Sequence, residues 1–164
     1  MELLLVRHAI AFERNARRWP DDDERPLCPR GIARARQAAA GLKRLTRRPG
    51  RVLASPLLRT RQTAALLTQF AGWPAALPCD ALRPGRVPKT LLALLPRSRN
   101  ARIAVIGHEP DLSTLLALCL EGGTRCALPL RKMGVACVRF PGAAQAGRGE
   151  LAGFLPPRLL RAAR

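Results

Sequence analysis

Two histidines, the only two in the chain, each follow a short apolar run. His8 comes after residues 3–6 with Arg7 between, and His108 comes directly after residues 103–107. Such runs are typical of buried strands, and ligands of α/β proteins bind beyond the carboxyl ends of parallel strands. We therefore expect the two imidazoles to face one site. With the neighbouring arginine, they indicate phosphoryl chemistry on imidazole.

A third strand end adds another cation. Ser55 and Pro56 follow an apolar run and predict a helix start, with serine as N-cap and proline at the first helical position. This places Arg59 in the first turn, where a cation opposes the helix dipole but can help to bind an anion. Gly107, before His108, is expected to let a ligand approach the backbone closely. Three strand ends thus bring two arginines and two histidines to one site.

The segments around these residues predict the elements that position them. Apolar runs alternate with segments of helical period, which is typical of β-α-β units and of a mostly parallel sheet. The predicted fold is α/β, a three-layer α/β/α arrangement with a mostly parallel central sheet. Residues 9–28 are interpreted as a surface loop over one side of the site. Strands are expected at 2–6, 51–55, 102–107, 134–140 and 151–155, the last two near an edge, and helices at 29–45, 56–70, 88–95 and 111–121.

Length and composition restrict the remaining possibilities. The 164 residues fit one domain over 1–164, with a basic tail from about residue 157 that is a short helix or disordered. The five cysteines are odd in number and contain no Cys-x-x-Cys pair, so we expect reduced thiols packed as small apolar groups. No signal peptide is recognised, and no stretch reaches the roughly 18 apolar residues of a membrane span. A cytoplasmic protein without a membrane partner is therefore expected.

The net charge of +18 raises the question of nucleic acid. However, only Lys43, Lys89 and Lys132 are lysines among the 29 basic residues, and biased genome composition produces such an arginine excess as readily as function does. Tyrosine is absent and aromatic residues make up 4%, which leaves little for base stacking. We interpret the charge as a solvated basic surface that attracts acidic partners. A basic binding module with a phosphate pocket and no turnover remains an alternative.

The same residues carry a resemblance to a known family. Their order and spacing over residues 3–140 resemble the histidine phosphatase (phosphoglycerate mutase-like) superfamily, although Ala9 stands where the superfamily more often has glycine. Shorter motifs are similar to those of the small SixA-type phosphohistidine phosphatases. The superfamily signature comprises Arg7-His8-Ala9, Ser55-Pro56-x-x-Arg59, Gln62-Thr63-Ala64 and Gly107-His108, and the SixA-like motifs are Arg25-Pro26-Leu27, Gly31, Leu82-x-Pro84-Gly85 and Gly107-His108-Glu109-Pro110.

The resemblance implies a role for each of four residues. His8 is expected to be the nucleophile, which forms a covalent phospho-His8 intermediate while its other ring nitrogen is held by a backbone carbonyl. Arg7 and Arg59 are expected to grip phosphoryl oxygens through their planar guanidinium groups, and His108 to donate to another oxygen. No metal and no cofactor is expected, because these cations and donors supply the electrostatic stabilisation.

A general acid is harder to identify. Mutase-like relatives use a glutamate in the middle of the chain, but Asp80 is the only carboxylate between Arg25 and His108. Asp80 could equally be a solvated residue at the rim. Glu109 is closer in sequence to the pocket, but could instead cap the next helix or orient an arginine. Both are kept as possible general acids.

The missing glutamate influences the choice of substrate. A phosphoramidate needs less proton donation than an ester, because imidazole is a far better leaving group than an alkoxide. We therefore expect a SixA-like phosphohistidine phosphatase that acts on a phosphotransfer domain or a phosphocarrier. The alternative is a phosphatase of small phosphoesters on the same scaffold, with Asp80 or Glu109 as the acid. A sugar-phosphate mutase is disfavoured, since it would need that acid and usually a longer chain.

Overall fold

The computed structural model describes residues 1–86, 88–95, 101–123 and 128–164. Most of the predicted elements are present, within a residue or two of their expected bounds. The strands are β1 (Glu2–Arg7), β2 (Arg51–Ala54), β3 (Leu77–Pro78), β4 (Arg102–Gly107), β5 (Val135–Arg139) and β6 (Glu150–Leu155). The helices are α1 (Pro29–Leu45), α2 (Leu58–Ala71), α3 (Pro88–Leu94), α4 (Asp111–Glu121) and α5 (Pro157–Ala162).

The strands form one mixed sheet in the order β3-β2-β4-β1-β5-β6. The first four of these are parallel, and β5 and β6 are added antiparallel beside β1. The expected sheet, mostly parallel with two further strands towards one edge, is therefore confirmed. In the register of the central pair, Arg7 lies opposite Gly107, so that β1 and β4 end at the same level.

Strand β1 is central because both of its faces are covered. Leu4 and Val6 belong to a core with helices α1, α2 and α5, whereas Leu3 and Leu5 belong to a second core with α3 and α4. All four side chains are fully buried. A strand covered on both faces needs apolar residues at every position, which explains the continuous apolar run in the sequence. The three-layer prediction is confirmed.

The C-terminal segment is part of this packing. Leu160 of α5 is buried against α1, where Gly41 leaves the space for it. A Cβ atom at Gly41 would lie 1.8 Å from the carbonyl oxygen of Leu160, so only glycine allows the two backbones to approach this closely. Of the two alternatives for the basic tail, a short helix or disorder, the structure shows the helix.

The structure corrects two local predictions. Helix α2 begins at Leu58 and not at Pro56, because Ser55 still pairs with β4 through its main chain and does not cap the helix. The predicted loop before residue 79 contains the short strand β3. At Gly107, a Cβ atom would lie 3.3 Å from Cδ2 of the Leu112 side chain, so the glycine packs closely against the core on one side. Its role in admitting a ligand stays a prediction.

Two further observations bear on composition. Cys28, Cys79, Cys119 and Cys137 are free thiols, and Cys126 lies outside the described residues. Burial raises the pKa of Cys119 to about 12, as expected for a thiol packed as an apolar group. Within the described ranges, no helix combines the length and the hydropathy needed to cross a bilayer.

Candidate active site

The two histidines lie side by side at the carboxyl ends of β1 and β4. Their ring centroids are 5.0 Å apart, and the ring planes are inclined by 56°. The main-chain N–H of His8 donates to the carbonyl oxygen of Gly107 at 3.1 Å, which ties the two strand ends together. Each histidine is only 4% exposed. The structure thus brings together the two imidazoles as the sequence predicts.

The tautomer of His8 follows from one contact. Its Nδ1 lies 2.7 Å from the carbonyl oxygen of Ala9, and because a carbonyl can only accept, Nδ1 carries the proton. The lone pair is therefore on Nε2. Burial, followed by the positive charge of Lys132, lowers the pKa of His8 to about 2, so the ring is neutral at physiological pH. A neutral imidazole with its lone pair on Nε2 is the form that can attack phosphorus.

His108 is held by a different partner. Its Nε2 lies 3.0 Å from the hydroxyl oxygen of Ser55, the residue that sequence analysis placed as a helix cap. Burial, and then the charge of Arg59, lowers the pKa of His108 to about 3. A serine hydroxyl can donate or accept, so it can accommodate either tautomer of this ring.

Arg7 and Arg59 both lie in this site with part of their donor capacity unused. Nη1 of Arg7 donates to the carbonyl oxygen of Leu130 at 2.8 Å, and Nη1 of Arg59 donates to that of Asp22 at 2.7 Å. The Nε atoms of both arginines are buried and have no hydrogen-bond partner among the described residues. Burial lowers the pKa of both guanidinium groups. Buried unpaired donors are rare in proteins, and these two suit an anionic ligand.

The loop over residues 9–28 covers one side of the site, as the sequence predicts. Its acidic cluster forms a short 3-10 turn at Asp22–Glu24. The Asp22 carboxylate lies 3.2 Å from Nη2 of Arg59 and 2.7 Å from Nε of Arg25. The hydrogen bond from Arg25 is the main reason why the pKa of Asp22 is lowered. The acidic cluster therefore contacts the cations of the site.

Sequence reasoning missed one residue of this site. Nζ of Lys132 lies 3.1 Å from Nε2 of His8, which is the ring nitrogen that carries the lone pair. Burial and then the charge of Arg7 lower the pKa of Lys132 to about 8. The signal in the sequence was the residue type, since Lys132 is one of only three lysines among 29 basic residues. Lysine, unlike arginine, shifts its pKa readily when it is buried, so a rare lysine in an arginine-rich chain indicates a candidate site residue.

The two candidate acids have other partners. The side chain of Asp80 is 83% exposed and pairs with Nε of Arg83 at 2.9 Å, which agrees with a solvated rim residue. The Glu109 carboxylate accepts from the Leu130 N–H at 2.7 Å and from the Ser113 hydroxyl. Within the described part of the chain, neither a main-chain N–H of helix α4 nor an arginine donates to this carboxylate. Its two oxygens hold other groups, and neither is directed to a leaving group by any contact seen here.

Lys132 also lines a groove beside the site, which we call the basic groove. It has a volume of about 900 Å³, and none of the described residues that line it is acidic. Apolar walls are formed by Ile10 and Met133 among others. Its basic residues are Arg34, Arg131, Lys132, Arg158 and Arg161.

Within the described ranges, no three His, Cys, Asp or Glu residues are grouped so as to hold a metal ion.

Comparison with known proteins gives a consistent result. Residues 3–83 match the model of the histidine phosphatase superfamily (branch 1). An uncharacterised protein of Picosynechococcus sp. is 34% identical over 142 residues, which cover 85% of each chain. The structure of the protein histidine phosphatase SixA complexed with tungstate matches at a TM-score of 0.80 and 27% identity, over 98% of this chain and 99% of that chain.

A more distant structure supports the fold alone. The phosphoglycerate mutase of Bacillus anthracis matches at a TM-score of 0.62 and 13% identity, over 99% of this chain and 96% of that chain. The architecture is therefore of the phosphoglycerate mutase-like type, as the sequence predicts.

Proposed function

Because the chain belongs to the histidine phosphatase superfamily and is a phosphatase of the SixA type, we propose that it hydrolyses phosphohistidine on a partner protein. Residues 1–164 act as one catalytic domain. The observation that carries the proposal is the state of His8, a buried neutral imidazole whose Nδ1 bonds Ala9 and whose Nε2 faces the cations of the site.

The reaction proceeds in two transfers. Nε2 of His8 attacks phosphorus, the bond from phosphorus to the substrate nitrogen breaks, and the leaving imidazole takes up a proton. Water then attacks phospho-His8, inorganic phosphate leaves, and the bonding pair returns to Nε2. The Nδ1–H bond to Ala9 keeps the ring in the reactive tautomer throughout.

Arg7, Arg59 and His108 stabilise the transferred group. The guanidinium groups of the two arginines and the imidazole of His108 donate to phosphoryl oxygens as charge develops on them. The two guanidinium groups provide the positive charge that a metal ion would otherwise supply, so we propose a metal-independent reaction. Burial makes the charged form of both guanidinium groups less favourable. The negative charge of the bound phosphoryl group offsets this cost.

The basic groove supports a protein substrate. A groove that combines arginine side chains with apolar walls is typical of protein interfaces. The chain has few aromatic side chains for stacking on nucleic acid bases. The charges of Arg34 and Arg158 both act on Arg161 and lower its pKa, after burial as the main cause. Such crowded cations favour an acidic partner. We propose that an acidic face of a phosphotransfer domain or phosphocarrier docks there while its phosphohistidine reaches His8.

Lys132 keeps the second candidate function open. The argument against small phosphoesters was the lack of a proton donor for the leaving alkoxide, and a lysine ammonium now lies beside the nucleophile. A phosphatase of small phosphoesters is therefore the alternative, without Asp80 or Glu109 as the acid.

The two candidates are distinguished by direct comparison of substrates. Turnover of a phosphocarrier phosphorylated on histidine is measured beside turnover of p-nitrophenyl phosphate and of sugar phosphates. We expect kcat/KM to be highest for the phosphohistidine protein, and a strong preference for the esters would overturn the proposal. His8→Ala is expected to abolish turnover and the acid-labile phosphoenzyme, and a normal phosphoenzyme in this variant would exclude His8 as the nucleophile.

A further inference from the structure

Lys132 is held in place by the same strand ends that carry the catalytic residues. The N–H of Met133 donates to the carbonyl oxygen of Arg7 at 3.1 Å, and the N–H of Arg7 donates to that of Gly134 at 3.2 Å. Two main-chain hydrogen bonds thus join the segment on the C-terminal side of Lys132 to the residue before His8. The position of Lys132 relative to His8 follows from this connection.

The other side of the segment is held as well. Nη1 of Arg7 donates to the carbonyl oxygen of Leu130, and the N–H of Leu130 donates to Glu109. Glu109 follows His108 directly, so residues 130–134 are bound to the ends of both β1 and β4. Because these contacts lie on either side of Lys132, its backbone is fixed by the two catalytic strands.

The turn that presents Lys132 is strained. Met133, which is 3% exposed, has a φ of 63°, and the N–H of Gly134 donates back to Arg131 at 2.6 Å. The left-handed conformation is unfavourable for a residue other than glycine. Backbone strain at a buried residue beside a reactive group is a feature of functional sites. The strained turn directs the lysine side chain to the nucleophile.

The contact between Lys132 and His8 also defines the path of the reaction. Since Nδ1 of His8 carries the proton, the ammonium of Lys132 donates to the Nε2 lone pair at 3.1 Å. Phosphorus must approach along that lone pair, so Nζ has to leave it when the substrate binds. The nearest new acceptors are the phosphoryl oxygens. Because the leaving atom lies in line on the far side of phosphorus, the flexible lysine stem has to carry Nζ past these oxygens to reach it.

We propose that Lys132 is the general acid and base of this phosphatase, and that it covers the nucleophile until the substrate displaces it. In the first transfer, the leaving nitrogen or oxygen receives the bonding pair from phosphorus and a proton from the ammonium of Lys132. The resulting neutral amine then takes a proton from the water that attacks phospho-His8. The ammonium is thereby regenerated, and no further co-reactant is needed.

The chemistry of lysine suits this role better than that of arginine. Arg7, Arg25 and Arg59 raise the cost of a charge on Lys132, whereas Glu109 lowers it, and burial adds to the cost. A lysine in such surroundings can give up its proton near neutral pH, but an arginine cannot. This explains why one of the few lysines in an arginine-rich chain occupies this position.

The test compares leaving groups in Lys132→Met and Lys132→Arg. The substrates are p-nitrophenyl phosphate, whose leaving group needs little protonation, and phenyl and alkyl phosphates, whose leaving groups need more. We expect kcat/KM to fall by at least about 10²-fold for the poor leaving groups and at least tenfold less for p-nitrophenyl phosphate. Lys132→Arg keeps the charge and is expected to show the same selective loss.

The second step, hydrolysis of phospho-His8, gives an independent readout. With p-nitrophenyl phosphate, phospho-His8 is expected to accumulate in Lys132→Met, because the attacking water loses its base, and to stay low in the wild type. Lys43→Met, an exposed lysine of α1, is the matched control. Thermal unfolding midpoints report whether each variant is folded, and Lys132→Arg provides a second variant if the methionine variant does not fold.

Two results would overturn the proposal. One is an equal loss for all leaving groups, which would make Lys132 a binder of phosphate only. The other is full activity in Lys132→Arg. The proposal rests on the phosphatase reaction proposed above, but it is tested with esters alone. If the wild type hydrolyses esters and not phosphohistidine, the substrate assignment fails while the role of Lys132 can still be decided.

Discussion

The Asp22 carboxylate lies 3.2 Å from Nη2 of Arg59, and the Asp22 carbonyl oxygen accepts from Nη1 of the same guanidinium at 2.7 Å. An anion of the protein therefore already contacts the arginine that we assign to the phosphoryl group. Since carboxylate and phosphate bind guanidinium through the same planar donors, the two must compete in part. The acidic loop therefore covers one side of the site and holds an arginine that a bound anion would also contact.

Asp22→Asn is expected to strengthen inhibition by inorganic phosphate. A partly exposed ion pair contributes about 1 kcal/mol, so the inhibition constant should fall about fivefold. Thermal stability should decrease, because the buried Arg59 loses its countercharge. Asp80→Asn, on an exposed aspartate that pairs with Arg83, is the control and should change neither phosphohistidine hydrolysis nor phosphate inhibition. Weaker phosphate inhibition in Asp22→Asn would mean that Asp22 orients Arg59 and does not compete.

Arg7→Ala, Arg59→Ala and His108→Ala should each lower kcat on the order of 10²-fold or more, as loss of a contact to the transition state does. Steady-state kinetics with p-nitrophenyl phosphate measures the effect, and circular dichroism confirms that each variant is folded. A variant that keeps kcat within a few-fold of the wild type would remove its residue from the transition state.

Glu109→Ala distinguishes a positioning role from an acid. The carboxylate holds Leu130, whose carbonyl oxygen holds Arg7, and alanine removes this acceptor, so we expect kcat to fall about tenfold by displacement of that arginine and of Lys132. The loss should be the same for p-nitrophenyl and alkyl phosphates. A loss that grows as the leaving group becomes poorer would instead identify Glu109 as the general acid.

The folded protein should lose stability as pH falls below 6.5. The pKa values of His8 and His108 are lowered from 6.5 to about 2 and about 3, so the unfolded chain binds more protons between these values. Each histidine then costs at most about 1.4 kcal/mol of unfolding free energy per pH unit. Urea unfolding at pH 7.5 and 5.0 measures this loss above the range in which Asp22 titrates. The loss should be much smaller in His8→Gln/His108→Gln, and an unchanged loss would assign it to other groups.

Charge reversal in the basic groove tests docking of the protein substrate. In Arg34→Glu/Arg158→Glu, kcat/KM for an acidic phosphocarrier phosphorylated on histidine should fall at least about tenfold more than kcat/KM for p-nitrophenyl phosphate. The effect should weaken at high salt, where exposed charges are screened. Arg47→Glu, at an exposed position outside the groove, is the control. Equal effects on both substrates would exclude the groove as the docking surface.

The sequence by itself predicted the fold and the placing of His8 and His108 side by side. Apolar runs identified β1 and β4 because strands covered on both faces have no polar positions, and helix α1 was predicted over its whole length, Pro29–Leu45. A residue that directly follows such a strand lies at the carboxyl edge of the sheet. Local order along the chain was therefore sufficient to bring His8 and His108 to one site.

Only the tertiary structure decided the partners of these residues. Asp22 reaches Arg59 across 37 positions of the chain, and Lys132 reaches His8 across 124. Such pairs depend on how loops fold back over the sheet, which no local period encodes. Ser55 shows the same limit, because its hydroxyl suits a helix cap as well as a histidine, and the packing of β2 beside β4 selected the histidine. Sequence thus predicted which side chains lie at the carboxyl edge of the sheet, whereas long-range packing determined the hydrogen-bond partner or counterion of each.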